Sequence, residues 1–132
     1  MTDEMIKRFL AGRPHAVVGA SADREKYGNL VLRCYQQNER PVFAVNPRGG
    51  SIEGERVYAD LASIPGTVHG VSIITPPPAT ERVIEEAGAL GIRHVWMQPG
   101  AESPRAIARC RELGIECIAG GPCILVVLGW SG

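Results

Sequence analysis

The chain has 132 residues, 45% of them hydrophobic and 21% charged, and its fourteen basic and fourteen acidic side chains give a formal net charge of zero. That length supports one domain, residues 1–132, with its own core. The charge balance excludes the basic surface of a nucleic-acid binder, and the longest apolar run, Ile124 to Leu128, is far too short to span a membrane.

The first residues, Met1-Thr2-Asp3-Glu4, lack the basic-then-apolar order of a signal peptide. Cys34, Cys110, Cys117 and Cys123 form no C-x-x-C pair and have no histidine at zinc spacing. The expectation is a cytoplasmic protein with reduced thiols and no metal site.

Met5, Ile6, Phe9 and Leu10 share one face of a first helix, which Gly12 ends. His15 to Gly19 reads as a buried strand that stops at small residues. Leu30, Val31, Cys34 and Tyr35 then fall at helical spacing, predicting a helix over Asn29–Asn38. Pro41 to Val45 is a second strand, closed by Asn46-Pro47. Ile52 to Tyr58 contains Gly54 and is irregular or a short hairpin, and residues 60–65 suit one short helical turn.

Val71 to Ile74 is a third strand, stopped by the triple proline Pro76-Pro77-Pro78. Thr80 to Leu90 follows as a helix, with Val83, Ile84, Ala87 and Leu90 on one face. A fourth strand covers His94 to Met97. Ser103-Pro104 opens another helix by a cap followed by proline, Gly114 closes it, and Ile115 to Ala119 is a fifth strand. The tail from Gly120 is glycine-rich and then apolar.

Alternating helices and near-continuous apolar strands predict an α/β fold. It is a three-layer, Rossmann-like, doubly wound parallel sheet of about five strands with right-handed crossovers. Such sheets bind ligands at the carboxyl ends of their strands, near the switch in strand order. Those ends carry Gly19-Ala20-Ser21, Asn46-Pro47-Arg48, Thr75-Pro76-Pro77 and Gln98-Pro99-Gly100. Strand, small-residue turn and helix is the arrangement that holds a phosphate, because small side chains let backbone N–H groups approach an anion. An ordinary turn that binds nothing has the same local sequence. His15, His69 and His94 all map to the amino ends of strands, away from that edge, so no catalytic constellation stands out.

The dinucleotide fingerprint G-x-G-x-x-G is incomplete, since Ser21 and Arg24 stand where its second and third glycines belong. After the second strand come Asn46 and Arg48, not the carboxylate that would accept bonds from ribose hydroxyls. Plain NAD is disfavoured. NADP, or another nucleotide with an extra phosphate, stays open.

Several segments together resemble the small stand-alone coenzyme A-binding proteins, which are related to the coenzyme A-binding domain of the succinyl-CoA synthetase alpha subunit. These are Val18-Gly19-Ala20-Ser21, Lys26-Tyr27-Gly28-Asn29, Val45-Asn46-Pro47, Thr75-Pro76-Pro77-Pro78 and Trp96-Met97-Gln98-Pro99-Gly100-Ala101. The resemblance implies that Gly19, Ala20, Ser21 and Ala22 line a pyrophosphate and that Lys26 and Arg48 meet phosphate charge. It implies that Asn46 and Pro47 flank the adenosine end. Thr75, Pro76 and Pro77 would shape the wall toward the pantetheine, with Gln98 and Gly100 nearby.

The function implied is binding of coenzyme A or an acyl-CoA by a non-catalytic carrier or regulatory protein, without ligase chemistry, because the synthetase's phosphorylated histidine lies in a second domain. Two alternatives stay open. One is an NADP-dependent reductase or other nucleotide-binding enzyme. The other is an interaction module, with a second copy or a partner protein docking on the apolar tail from Ile124 to Trp130.

Overall fold

The structure is a computed structural model that describes residues 2–131. Helix α1 (Thr2–Ala11) leads into strand β1 (His15–Val18), and α2 (Tyr27–Gln37) connects to β2 (Val42–Val45). A hairpin follows, of β3 (Ser51–Ile52) and β4 (Glu55–Tyr58), and then a single 3-10 turn at Leu61–Ser63. The second half repeats the alternation with β5 (Gly70–Ile73), α3 (Pro77–Ala89), β6 (His94–Met97), α4 (Pro104–Leu113) and β7 (Glu116–Ile118). A short helix, α5 (Ile124–Leu128), ends the described chain.

The strands form one sheet in the order β3-β4-β2-β1-β5-β6-β7, parallel except for β3, which pairs antiparallel with β4. All five expected strands are present. The two additional ones come from the segment read as irregular or hairpin: β4 continues the parallel sheet by pairing Ala44 with Val57 and Val45 with Tyr58. From β1 the chain runs outward through β2 to the hairpin, then returns to place β5 on the other side of β1. The strand order therefore switches between β1 and β5.

Alternation along the strands builds two cores. Ala16, Val18, Val71, Ile73, Val95 and Met97 face α3 and α4, packing on Ile84, Ala87, Ala106 and Cys110. Val17, Ala44 and Trp96 face the other way, onto Phe9 of α1, Val31, Leu32 and Tyr35 of α2, and Ile124 of α5. The apolar tail is thus drawn into the molecule's own core through Ile124. Val126, 80% exposed, and Val127 remain at the surface. The one hydroxyl of β5 on the α2 side, Ser72, is buried and satisfied by the Tyr35 hydroxyl at 2.7 Å.

Helix ends follow their sequence signals. Ser103 Oγ accepts from Ala106 N at 3.2 Å, Pro104 takes the first helical position of α4, and Gly114 closes it in the left-handed region at φ 72°. Helix α1 ends differently. Its last carbonyls, which lack partners inside the helix, accept side-chain N–H groups from the sheet's amino edge. His69 Nε2 donates to Arg8 O at 2.9 Å, His15 Nε2 to Phe9 O at 2.7 Å, and Arg40 Nη1 to Leu10 O at 3.0 Å.

The three histidines, all at strand starts as expected, form a cluster: His69 stacks on His94 with ring centres 4.5 Å apart and meets His15 edge-on at 5.7 Å. His15 is fully buried, and its Nδ1 has no partner among the described residues. Burial lowers its pKa to about 4, and the neighbouring imidazoles and Arg40 push the same way. His94 is also lowered, mainly by burial.

A histidine whose folded pKa is depressed binds its proton more readily when unfolded. Stability is therefore complete above pH ~6.5 and is lost as pH falls toward 4, at about 1.4 kcal/mol per pH unit. Paired carboxylates such as Glu116, whose pKa is held down chiefly by the Arg8 hydrogen bond, stay ionised through the upper part of that window. We expect the thermal midpoint to drop between pH 6.5 and 5, and His15→Phe to flatten that slope. Equal slopes in scanning calorimetry would show that His15 is not the titrating group.

Candidate nucleotide cleft

A cleft of about 710 Å³ lies over the carboxyl end of β1, at the switch between β1 and β5. Its floor is the turn from β1 into α2. Gly19 sits at φ 98°, and a Cβ there would come within 1.9 Å of Ile74 O. Gly28, in the first turn of α2, faces the same turn from the other side, and a Cβ on it would fall 2.0 Å from Gly19 O. Two glycines therefore let the start of α2 press against the end of β1, a contact that no side chain would allow.

The loop between them is fixed by amide side chains. The Asn46 Nδ2 donates to Ala20 O at 2.8 Å, while its Oδ1 accepts from Arg48 N at 2.9 Å. Buried Asn29 donates from Nδ2 to Ser21 O at 2.9 Å and to Glu53 Oε2 at 3.0 Å, and its Oδ1 accepts from Arg33 Nε at 2.8 Å. The carbonyl oxygens of Ala20 and Ser21, which would repel an anion, are thus already engaged. Ser21 Oγ accepts from Asp23 N at 3.1 Å and tightens the loop.

Helix α2 starts at Lys26 without a side-chain cap and has no acidic residue in its first turn. Its leading N–H groups and the positive end of its dipole are left to whatever occupies the cleft. Lys26 and Arg48 add two exposed cations, against one carboxylate, Asp23, whose oxygen already accepts from Glu25 N at 3.0 Å. Arg24 is held away in an ion pair with Glu53, Nε to carboxylate 3.2 Å. The Arg24 and Asn29 contacts hold the Glu53 carboxyl below its ordinary range, the hydrogen bond from Asn29 contributing most.

Of the residues singled out from sequence, Gly19, Ala20, Ser21, Ala22, Lys26, Asn46 and Arg48 line this cleft. Pro47 is exposed beside it. Thr75, Pro76, Pro77 and Gly100 lie outside the lining. The Thr75 hydroxyl pairs with that of Thr80 at 2.8 Å, Pro76 and Pro77 form the cap and first residue of α3, and Gly100 N donates to Glu102 Oε1 at 2.8 Å. Gln98 is fully buried behind Tyr27. Sequence reasoning did not place Tyr27, Gly28, Gly49, Ser51, Ile52 or Ile74 at the site, although all line the cleft. Gly28 carried a usable signal, since a glycine inside a helical pattern marks a close approach.

The fold and the cleft together define an α/β protein with an open cleft at the topological switch point of its parallel sheet. Residues 13–129 match the CoA binding domain family, and the chain belongs to that family. It is 33% identical over 94 residues to the alpha subunit of an ADP-forming acetate–CoA ligase II from Pyrococcus furiosus, covering 69% of this chain and 20% of that protein. It is also 33% identical over 83 residues to an ADP-forming acetate–CoA ligase I from Archaeoglobus fulgidus, covering 63% of this chain and 12% of that protein. The chain thus spans a fifth or less of the length of these two relatives.

Among solved structures, a conserved hypothetical protein from Pyrococcus furiosus superposes with a TM-score of 0.82 at 34% identity, covering 88% of this chain and 99% of that one. A protein from Thermus thermophilus gives 0.80 at 28% identity, over 89% of this chain and 90% of that one.

The glycine contact has a direct test. In an open helix, Gly→Ala stabilises by up to about 1 kcal/mol. At Gly28 the new methyl would meet Gly19 O, so Gly28→Ala is expected to destabilise by about 1–3 kcal/mol, as overpacking does. Gly121→Ala, with nothing within 4 Å, serves as the neutral control. Denaturant melts of the two variants decide it, and matching midpoints would remove the contact from the account.

Proposed function

We propose that this chain binds coenzyme A or an acyl-CoA in the cleft over β1, as a non-catalytic carrier or regulatory module. The observation that carries the reading is the uncapped start of α2, brought onto the β1 turn by Gly19 and Gly28 and flanked by Lys26 and Arg48. It supplies oriented N–H groups, a favourable dipole and two cations to a ligand with three phosphate groups. The family and the ligase relatives support the same ligand and lend nothing to NADP.

A non-catalytic role is supported by the placement of the titratable groups. The three histidines cluster at the amino edge, across the sheet from the cleft. The ligase activity of the relatives belongs to proteins five or more times the length matched here.

In this reading Arg48 meets the phosphate on the adenosine ribose, which lies beyond the end of β2 in sheets of this kind. A guanidinium can make two parallel bonds there, which an ammonium cannot. Exposure reduces the net effect to about 1.4 kcal/mol, or tenfold in affinity. Calorimetry is expected to show coenzyme A binding and no comparable heat with NADP. Arg48→Ala should weaken coenzyme A about tenfold and leave dephospho-coenzyme A nearly unchanged. Heat from NADP alone would favour the reductase, and equal weakening of both coenzyme forms would take the ribose phosphate away from Arg48.

A further inference from the structure

Helix α4 and strand β7 bring two cysteines together. The buried residues of α4 are Ala106 and Cys110, one turn apart on the face that meets the sheet. Gly114 then reverses the chain, with Ile115 N donating to Cys110 O at 2.8 Å. Side chains alternate along β7. Glu116 meets Arg8 of α1 and Ile118 enters the core on that side, so Cys117 between them faces α4. There it packs on the core that contains Cys110. Cys110 stands one helical turn before the reversal and Cys117 is the second residue of the strand after it, which puts both at the same end of the α4–β7 pair.

The two thiols differ in setting. Cys110 is fully buried, whereas Cys117 is partly exposed on β7, the strand that ends the sheet. The Cys110 S–H donates to the Cys117 sulfur, which raises the Cys110 thiol and lowers that of Cys117. Burial adds to the first shift, and the Arg111 guanidinium adds to the second. A thiol that ionises readily, meets solvent and has a second thiol in reach is the arrangement that peroxides oxidise. Cys34 has no such setting: it is fully buried, and burial pushes its thiol up to about 11. Neither Cys110 nor Cys117 lines the nucleotide cleft.

We propose that Cys117 and Cys110 are a peroxide-oxidised dithiol, with Cys117 the attacking sulfur and Cys110 the resolving one. The Cys117 thiolate attacks one oxygen of hydrogen peroxide; an S–O bond forms, the O–O bond breaks and hydroxide leaves. Cys117 is thereby oxidised to a sulfenic acid and the peroxide is reduced. The Cys110 sulfur then attacks the Cys117 sulfur; the S–S bond forms, the S–O bond breaks, and the Cys110 proton leaves with the hydroxyl as water. The product ties the last turn of α4 to the edge strand, and a dithiol reductant reverses it. The proposal is independent of what occupies the cleft.

The reduced full chain is treated with hydrogen peroxide, quenched in acid and alkylated, and its disulfides are mapped by peptide mass spectrometry. The free thiol titre is expected to fall by two from the four of the reduced chain, with one bond inside the chain joining Cys110 to Cys117, and to recover with dithiothreitol. Cys110→Ala removes the resolving thiol, and dimedone added with the peroxide should then trap a sulfenic acid on Cys117. Cys117→Ala should leave Cys110 reduced.

Three results overturn the proposal: Cys117 left reduced by the peroxide, Cys117 oxidised without a bond to Cys110, or a folded Cys110→Ala chain that yields no dimedone adduct at Cys117. The disulfide map of the unsubstituted protein needs no variant, so it decides the matter even if Cys110→Ala does not fold.

Discussion

The approach of Gly28 to the Gly19 carbonyl is the constraint on which the rest of the site depends. It sets how near the α2 N-terminus stands to the end of β1, and so whether the helix's free N–H groups open onto the cleft. Nothing else in the loop could restore that distance if it were lost. Asn29, the next residue along α2, can reach both Ser21 O and Glu53 only because α2 begins where it does. The hairpin turn at Glu53 is thereby tied to α2, and Gln36 adds bonds to Glu53 O and Glu55 Oε2, both at 3.0 Å. One backbone contact thus propagates through two amide side chains to the wall carrying Ser51 and Ile52.

Much of this was legible in the sequence where structure is set locally. The apolar strands, the Ser103-Pro104 start of α4, its end at Gly114 and the histidines at strand starts all follow from residue type and spacing. The hairpin was legible only as one of two readings of Ile52 to Tyr58, and its place in the sheet was not. Its strands have two and four residues, and β4 joins the sheet through pairing with β2, from which it is separated by Gly49, Gly50 and Gly54. Register of that kind is a long-range property with no local period.

The site divides in the same way. The first loop and the cations after β1 and β2 could be placed because their chemistry is carried in consecutive residues. The triple proline Pro76-Pro77-Pro78 could be read as the stop between strand and helix, and Pro76 and Pro77 do form the cap and first residue of α3. The relation between Tyr27, Gln98 and Cys123 joins three distant points of the chain through side-chain hydrogen bonding, and no spacing in the sequence announces it.

The edges of the sheet bear on how copies of this molecule can meet. At one side the sheet ends in β3, two residues long and antiparallel to its neighbour; at the other it ends in β7, three residues long. An exposed strand of normal length offers a ladder of free backbone groups to any passing chain. Here each border offers only a rung or two. Continuous sheet extension between molecules is therefore unfavourable by construction. A parallel sheet that forms slowly, with its central strands waiting on long crossovers, is in this way shielded at its margins from pairing with the wrong neighbour.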